Sequence, residues 1–136
     1  MNIKITGSGS YIPTEVVSNI DFAQHTFLND DGTPFPHPND VVAEKFLEIT
    51  GIKERRYVTD DLCTSDIALI AAEKAIEDAK IDRETLDYII LAHNFGDVKK
   101  GAIQSDILPS LATRVKHGLK IKNPKCVAYD ILFGCP

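Results

Sequence analysis

The chain alternates between two kinds of hydrophobic pattern. Polar and β-branched residues alternate along Asn2-Ile3-Lys4-Ile5-Thr6, which predicts a first strand. Gly7-Ser8-Gly9-Ser10-Tyr11-Ile12-Pro13 then breaks it, with glycines suited to a sharp turn. Asn19 is placed to cap a short helix over 20–27, and Asp40 a second over 41–49 that Gly51 ends. Between them, residues 29–40 carry Pro34, Pro36 and Pro38 and read as an exposed loop. An irregular strand is expected over 52–58. The clearest helix follows, capped by Thr64 or Ser65, with Ala68, Ala71, Ala72, Ala75, Ile76 and Ala79 on one face. That small-residue face lets a neighbour approach closely.

Residues 82–87 turn the chain into Tyr88-Ile89-Ile90-Leu91-Ala92, a continuous apolar run of the kind found in strands buried on both faces. Leu108-Pro109-Ser110 leads a third helix, whose Leu111, Ala112, Val115 and Leu119 share a face. A last strand is expected over 125–129. Buried strands with intervening helices imply an α/β layer architecture with right-handed crossovers.

Composition narrows the function classes. The 136 residues suffice for one domain with a core, and 43% apolar with 26% charged residues is ordinary for a globular chain. A net charge of −5 argues against a broad nucleic-acid surface. Lys116, Lys120, Lys122 and Lys125 make one segment locally basic and could attract an acidic partner, and Lys53-Glu54-Arg55-Arg56-Tyr57 could serve binding; a solvated, scattered surface charge is the default reading of both. The opening residues lack the apolar run of a secretory leader, so none is expected, and no apolar stretch nears the roughly 20 residues that span a bilayer. A cytoplasmic location without membrane association is expected. Cys63, Cys126 and Cys135 show no zinc-site spacing, so no metal is expected.

Two places carry candidate chemistry. Gly134-Cys135-Pro136 follows the last apolar run, and a strand, a Gly turn and a helix start would put Cys135 at the positive end of a helix dipole. There a thiol loses its proton more readily. A small, unreactive Cys in an apolar turn fits the same spacing. His93-Asn94 closes the strand at 88–92, where open α/β sheets bind ligands, and a polar residue simply ending a strand fits equally. Gly7-Ser8-Gly9 lacks the third glycine of a dinucleotide fingerprint, and Pro13 interrupts any helix after it.

Several separated stretches resemble one family. Ile5-Thr6-Gly7-Ser8-Gly9-Ser10-Tyr11-Ile12-Pro13, Val17-Ser18-Asn19-Ile20-Asp21, Thr50-Gly51-Ile52-Lys53-Glu54-Arg55-Arg56-Tyr57, the helix-then-strand stretch 64–92, and Ala128 to Cys135 occur in the order seen in the amino-terminal half of a 3-oxoacyl-[acyl-carrier-protein] synthase III. This is a condensing enzyme of the thiolase superfamily. The resemblance implies the amino-terminal half of a thiolase-like layered fold, a mixed sheet with helices, ending at the nucleophile.

It also implies chemistry. Cys135 takes an acyl group from acyl-CoA, and decarboxylative Claisen condensation with malonyl-ACP then gives a 3-oxoacyl-ACP. A thiolate suits both steps, since it attacks a thioester well and leaves well. The backbone N–H of Cys135 would contribute to an oxyanion hole. Leu108 falls where the family lines the partner subunit's acyl pocket, which implies a homodimer; by sequence alone Leu108 is a hydrophobe leading into a helix. No cofactor is implied, acyl-CoA being a substrate.

The chain departs from the family in three ways. The Trp and Arg that clamp the CoA adenine fall at Lys45 and Ile49; Lys45 can still meet a phosphate, but aromatic stacking is lost. The 29–40 loop is an insertion. None of His25, His37, His93 or His117 matches the family's second-half His, so these residues alone are expected to be inactive. Acyl transfer to a small nucleophile, a hydroxymethylglutaryl-CoA-type condensation, and a non-catalytic dimerisation or scaffold module are the alternatives.

Overall fold

The computed structural model describes residues 2–132. In chain order they form β1 (Glu15–Ser18), a 3-10 turn (Asn19–Gln24), α1 (Asn39–Thr50), β2 (Glu54–Tyr57), α2 (Thr64–Ala79), a 3-10 turn (Arg83–Thr85), β3 (Tyr88–His93), α3 (Leu111–Gly118) and β4 (Val127–Leu132). Contacts gather into two units: Pro13–Thr59, and a unit joining the residues up to Ile12 to the chain from Asp60 onward.

In the Pro13–Thr59 unit, β1 pairs antiparallel with β2, Glu15 opposite Tyr57 and Ser18 opposite Glu54. α1 ends as the sequence predicts. Gly51 takes φ +67° and its N–H donates to Leu47 O at 2.8 Å, a left-handed cap that glycine adopts without a Cβ penalty. The helix expected over 20–27 is only the 3-10 turn, and its cap is Ser18, whose N–H and Oγ–H both donate to Asp21 Oδ2 (2.6 and 2.8 Å). Asn19 is committed elsewhere: its Nδ2 donates to Ile52 O at 2.9 Å and its Oδ1 accepts from Arg55 Nη1 at 2.6 Å. Arg55 is therefore more than a solvated charge. Its guanidinium lies 5.2 Å from the Phe22 ring centroid and 5.5 Å from that of Phe46, within cation–π range. Of the expected 29–40 loop, residues 39 and 40 already belong to α1, and the stretch before them is tied back to the residues that precede it: Leu28 bridges to Pro34, and Phe35 N–H donates to Phe27 O at 2.8 Å.

The other unit is built on α2. No strand forms over 2–6, and Ile3 and Ile5 are 87% and 85% exposed. Alternation says which face a strand would bury, but a strand needs a ladder partner, and none of the described residues supplies one. Gly7 and Gly9 serve a different purpose from a sharp turn. A Cβ on Gly7 would sit 2.5 Å from Ala79 N and 2.6 Å from Ala75 O, and one on Gly9 would strike Ala71 O and Ala75 N. The segment lies directly on the alanine face of α2, tied by Ser8 N–H to Asp78 Oδ2 (2.9 Å) and Lys74 Nζ to Ser10 O (3.0 Å). The cap of α2 is Cys63, one residue before the expected Thr64, and Asp66 accepts its N–H at 2.8 Å.

β3 and β4 pair in parallel, Tyr88 opposite Val127 and His93 opposite Leu132, with α3 in the connection between them. Val115, Leu119, Ile121 and Cys126 form the buried cluster, against which Ala68, Leu69, Ala72 and Ile76 of α2 and Ile89 and Leu91 of β3 pack. Full burial of a side chain such as Leu119 contributes about 1.5–3 kcal/mol. Burial of β3 on both faces is not observed: Tyr88 and Ile90 are 61% and 62% exposed. Among the described residues, helices cover only the Ile89–Leu91 side of this pair. β4 starts two residues later than expected, because Lys125 belongs to a turn in which its N–H donates to Asn123 Oδ1 at 2.9 Å. The α/β class matches the expectation, with the antiparallel pair β1–β2 and the parallel pair β3–β4 standing as two separate two-stranded sheets among the described residues.

Candidate active site

Cys135 lies outside the described residues, so its expected place at a helix start is not tested. The described chain does show the strand that leads to it. β4 carries one carboxylate in an otherwise apolar stretch, Asp130, five residues before Cys135. The first turn of α3 explains it. Leu111 N–H and Ala112 N–H donate to Asp130 Oδ2 and Oδ1, each at 2.7 Å. The carboxylate thus caps the positive end of α3 from the neighbouring strand.

His93, at the end of β3, completes this group. Its Nε2 lies 3.1 Å from Asp130 Oδ2, and its Nδ1 accepts the Gly96 N–H at 2.9 Å. A ring nitrogen that accepts carries no proton, so the proton sits on Nε2 and is donated to Asp130. Both nitrogens are committed and the side chain is 2% exposed. His93 therefore ends its strand as a buried structural group, the second of its two sequence readings. Burial pushes the Asp130 carboxyl up, but the Ala112 N–H, His93 and the Leu111 N–H together hold it below its ordinary value.

A second carboxylate organises the loop before α3. Asp97, 4% exposed, accepts from Ser65 N–H (2.7 Å) and Ser65 Oγ–H (2.6 Å) in the first turn of α2. It also pairs with Arg114 Nη1 at 2.8 Å. Asp97 and Asp106 exchange backbone hydrogen bonds of 3.0 and 2.8 Å, closing the base of the 98–105 loop. Arg114 reaches Asp106 Oδ1 at 2.7 Å through Nη2.

Leu108 stands on this closed base, 79% exposed. Lys45, in the Pro13–Thr59 unit, is exposed and pairs with Glu48 one turn along α1. It lines an apolar pocket with Phe35, His37, Val41, Phe46 and Ile49. Lys45 is thus partnered, though on a solvated surface where such a pair exchanges readily. Cys126 is buried in the core, and Cys63 is partly buried. Burial, then Asp97 and Asp66, push the Cys63 thiol up, the opposite of nucleophile activation.

Among the described residues, no group of three or more His, Cys, Asp or Glu is placed to hold a metal ion. No helix among them is long and apolar enough to cross a membrane. Sequence reasoning passed over Asp130, Asp97 and Arg114. One signal was available for Asp130: a lone carboxylate inside Tyr129-Asp130-Ile131-Leu132 must be paired if that run is a half-buried strand.

No family model matches the chain. It is 36% identical over 135 residues to β-ketoacyl-[acyl-carrier-protein] synthase III 1 of Vibrio parahaemolyticus, covering 99% of this chain and 35% of that protein. The solved β-ketoacyl-[acyl-carrier-protein] synthase III of Thermus thermophilus is 30% identical, with a TM-score of 0.66 over 97% of this chain and 34% of the other. That of 3-oxoacyl-[acyl-carrier-protein] synthase III from Aquifex aeolicus is 28% identical, with a TM-score of 0.64 over 96% and 34%. The chain therefore spans about a third of the length of these relatives. In sequence and in fold, as its motifs imply, this chain is related over nearly its whole length to the 3-oxoacyl-[acyl-carrier-protein] synthases III.

Proposed function

We propose that the protein bearing this chain is a condensing enzyme of fatty-acid or related acyl biosynthesis in which Cys135 is the acylated nucleophile. The Cys135 thiolate attacks the thioester carbonyl of acyl-CoA; the new C–S bond forms as the CoA thiolate leaves. Malonyl-ACP then loses carbon dioxide, its carbanion attacks the acyl-enzyme carbonyl, and the Cys135 thiolate leaves. The product is a 3-oxoacyl-ACP. A thiolate serves as both nucleophile and leaving group, and backbone N–H donors at the nucleophile stabilise the intervening oxyanion. Decarboxylation and much of the oxyanion stabilisation would draw on groups outside this chain.

The observation that carries the proposal is 36% identity over 135 residues to a synthase of this kind, together with the shared fold. The described scaffold is compatible with it: Asp130 holds the strand leading to Cys135 rigidly against α3. The partners of the reading are acyl-CoA, acyl carrier protein and a second copy of the chain, with Leu108 facing the acyl group of the partner subunit. Lys45 would meet a CoA phosphate once released from Glu48. A cytoplasmic setting fits these soluble substrates.

The test is an acceptor screen on the full-length protein. Malonyl-ACP as productive acceptor, with carbon dioxide release abolished by Cys135→Ala, supports the proposal. Productive transfer to small amines with no use of malonyl-ACP would replace it by the acyltransferase alternative. A full-length protein whose measurable roles all survive Cys135→Ala would be a scaffold.

A further inference from the structure

Leu108 combines two properties that rarely coincide. The residue is 79% exposed, yet its backbone is tied down from both sides. Its N–H donates to Asp106 Oδ1 at 3.3 Å, and its carbonyl accepts from Arg114 Nη2 at 3.0 Å. The next carbonyl, Pro109 O, accepts from Arg114 Nε, also at 3.0 Å. The same guanidinium reaches Asp106 at 2.7 Å and Asp97 at 2.8 Å. One planar fork thus engages two successive carbonyls and two carboxylates, and Asp97 carries the load to Ser65 at the start of α2.

We infer that Arg114 is a specificity-determining positioning residue that fixes Leu108 for reading the length of the acyl chain. This rests on the proposed role of Leu108 in the partner subunit's acyl pocket. An arginine that only solubilised α3 would face water, whereas this side chain is 22% exposed and turned onto the loop carbonyls. Its hand-shaped donor set defines both the place and the direction of the Leu108 backbone, which a lysine ammonium cannot do. A methyl-bearing wall discriminates chain length only if it cannot retreat. A single methylene against a fixed apolar wall changes kcat/KM by about 10–200-fold. A wall on a loosened loop yields, and that ratio collapses.

The experiment measures kcat/KM for a series of straight-chain acyl-CoA donors with the full-length protein. The variants are Arg114→Gln, Arg114→Lys, Leu108→Ala and the Arg114→Gln/Leu108→Ala double variant, with a melting midpoint for each. Leu108→Ala is expected to shift the length preference. Arg114→Gln is expected to flatten it by about tenfold between neighbouring lengths. Arg114→Lys fails to restore it, and Arg114→Gln adds nothing once Leu108 is Ala. A wild-type length profile in folded Arg114→Gln, beside a shifted one in Leu108→Ala, overturns the inference and leaves the Leu108 reading standing. A wild-type profile in Leu108→Ala overturns both. Should Arg114→Gln not fold, Asp106→Ala removes the oxygen shared by the fork and the Leu108 N–H, at a 59% exposed side chain; a partly flattened profile supports the inference and an unaltered one refutes it.

Discussion

Replacing Asp130 by Ala tests the account of how the strand before Cys135 is held. The carboxylate accepts two α3 N–H groups at 2.7 Å and the His93 Nε2–H at 3.1 Å. Leu111 and Ala112 are 0% exposed, so the freed N–H groups gain no water. Each buried donor left unmade costs about 1–3 kcal/mol, and a lost N-terminal cap costs about 0.5–2 kcal/mol. These overlap, and a combined loss of about 3–5 kcal/mol follows. With m near 2 kcal/mol/M, the urea midpoint should fall by about 1.5–2.5 M. Asp130→Asn keeps one acceptor oxygen and should lose roughly half as much. The effect of pH has a definite sign. The folded carboxyl sits below its ordinary value of 3.8, so its stabilisation is complete above that value and is lost as pH falls through the lowered folded value. The gap between wild type and Asp130→Ala should therefore be constant at neutral pH and narrow only in acid. A loss under about 1 kcal/mol for Asp130→Ala at pH 7 would refute the reasoning, since it would mean the N–H groups find other partners.

Two further outcomes follow from the packing of α2 and from Cys63. Gly7→Ala places a Cβ 2.5 Å from a helix backbone nitrogen that cannot yield, so it should cost about 1–3 kcal/mol and lower the melting midpoint; an unchanged midpoint would show that the segment does not lie on α2. Burial, Asp97 and Asp66 keep the Cys63 thiol protonated, so peptide mapping after iodoacetamide at pH 7 should find Cys63 labelled slowly and faster only at alkaline pH. Fast labelling at pH 7 would contradict that placement.

Local signals carried much of the fold. The αL glycine after α1 and the alanine stripe of α2 are each decided within a few turns of chain, and both appear where the residues placed them. What failed depends on distant partners. Ile3 and Ile5 alternate as a strand would, but alternation cannot provide a neighbour to hydrogen-bond with. The apolar run of β3 reads as doubly buried, yet only one side meets helices among the described residues. Gly7 and Gly9 looked like turn glycines because sequence shows the missing Cβ without showing what occupies its place. In the candidate site, Cys135 and Leu108 come from motif order alone. Asp130 announces only that it needs a partner, because the groups it binds lie 18 to 37 residues away, and the link from Asp97 to Ser65 across 32 residues has no local signature.

The central claim is that Cys135 carries the acyl group. Intact-mass analysis and peptide mapping of the full-length protein after incubation with a panel of acyl-CoAs tests it most directly. The account predicts a stable acyl adduct on the peptide containing Cys135 and none on those containing Cys63 or Cys126. An adduct on either of those cysteines, or none from any donor, would contradict it.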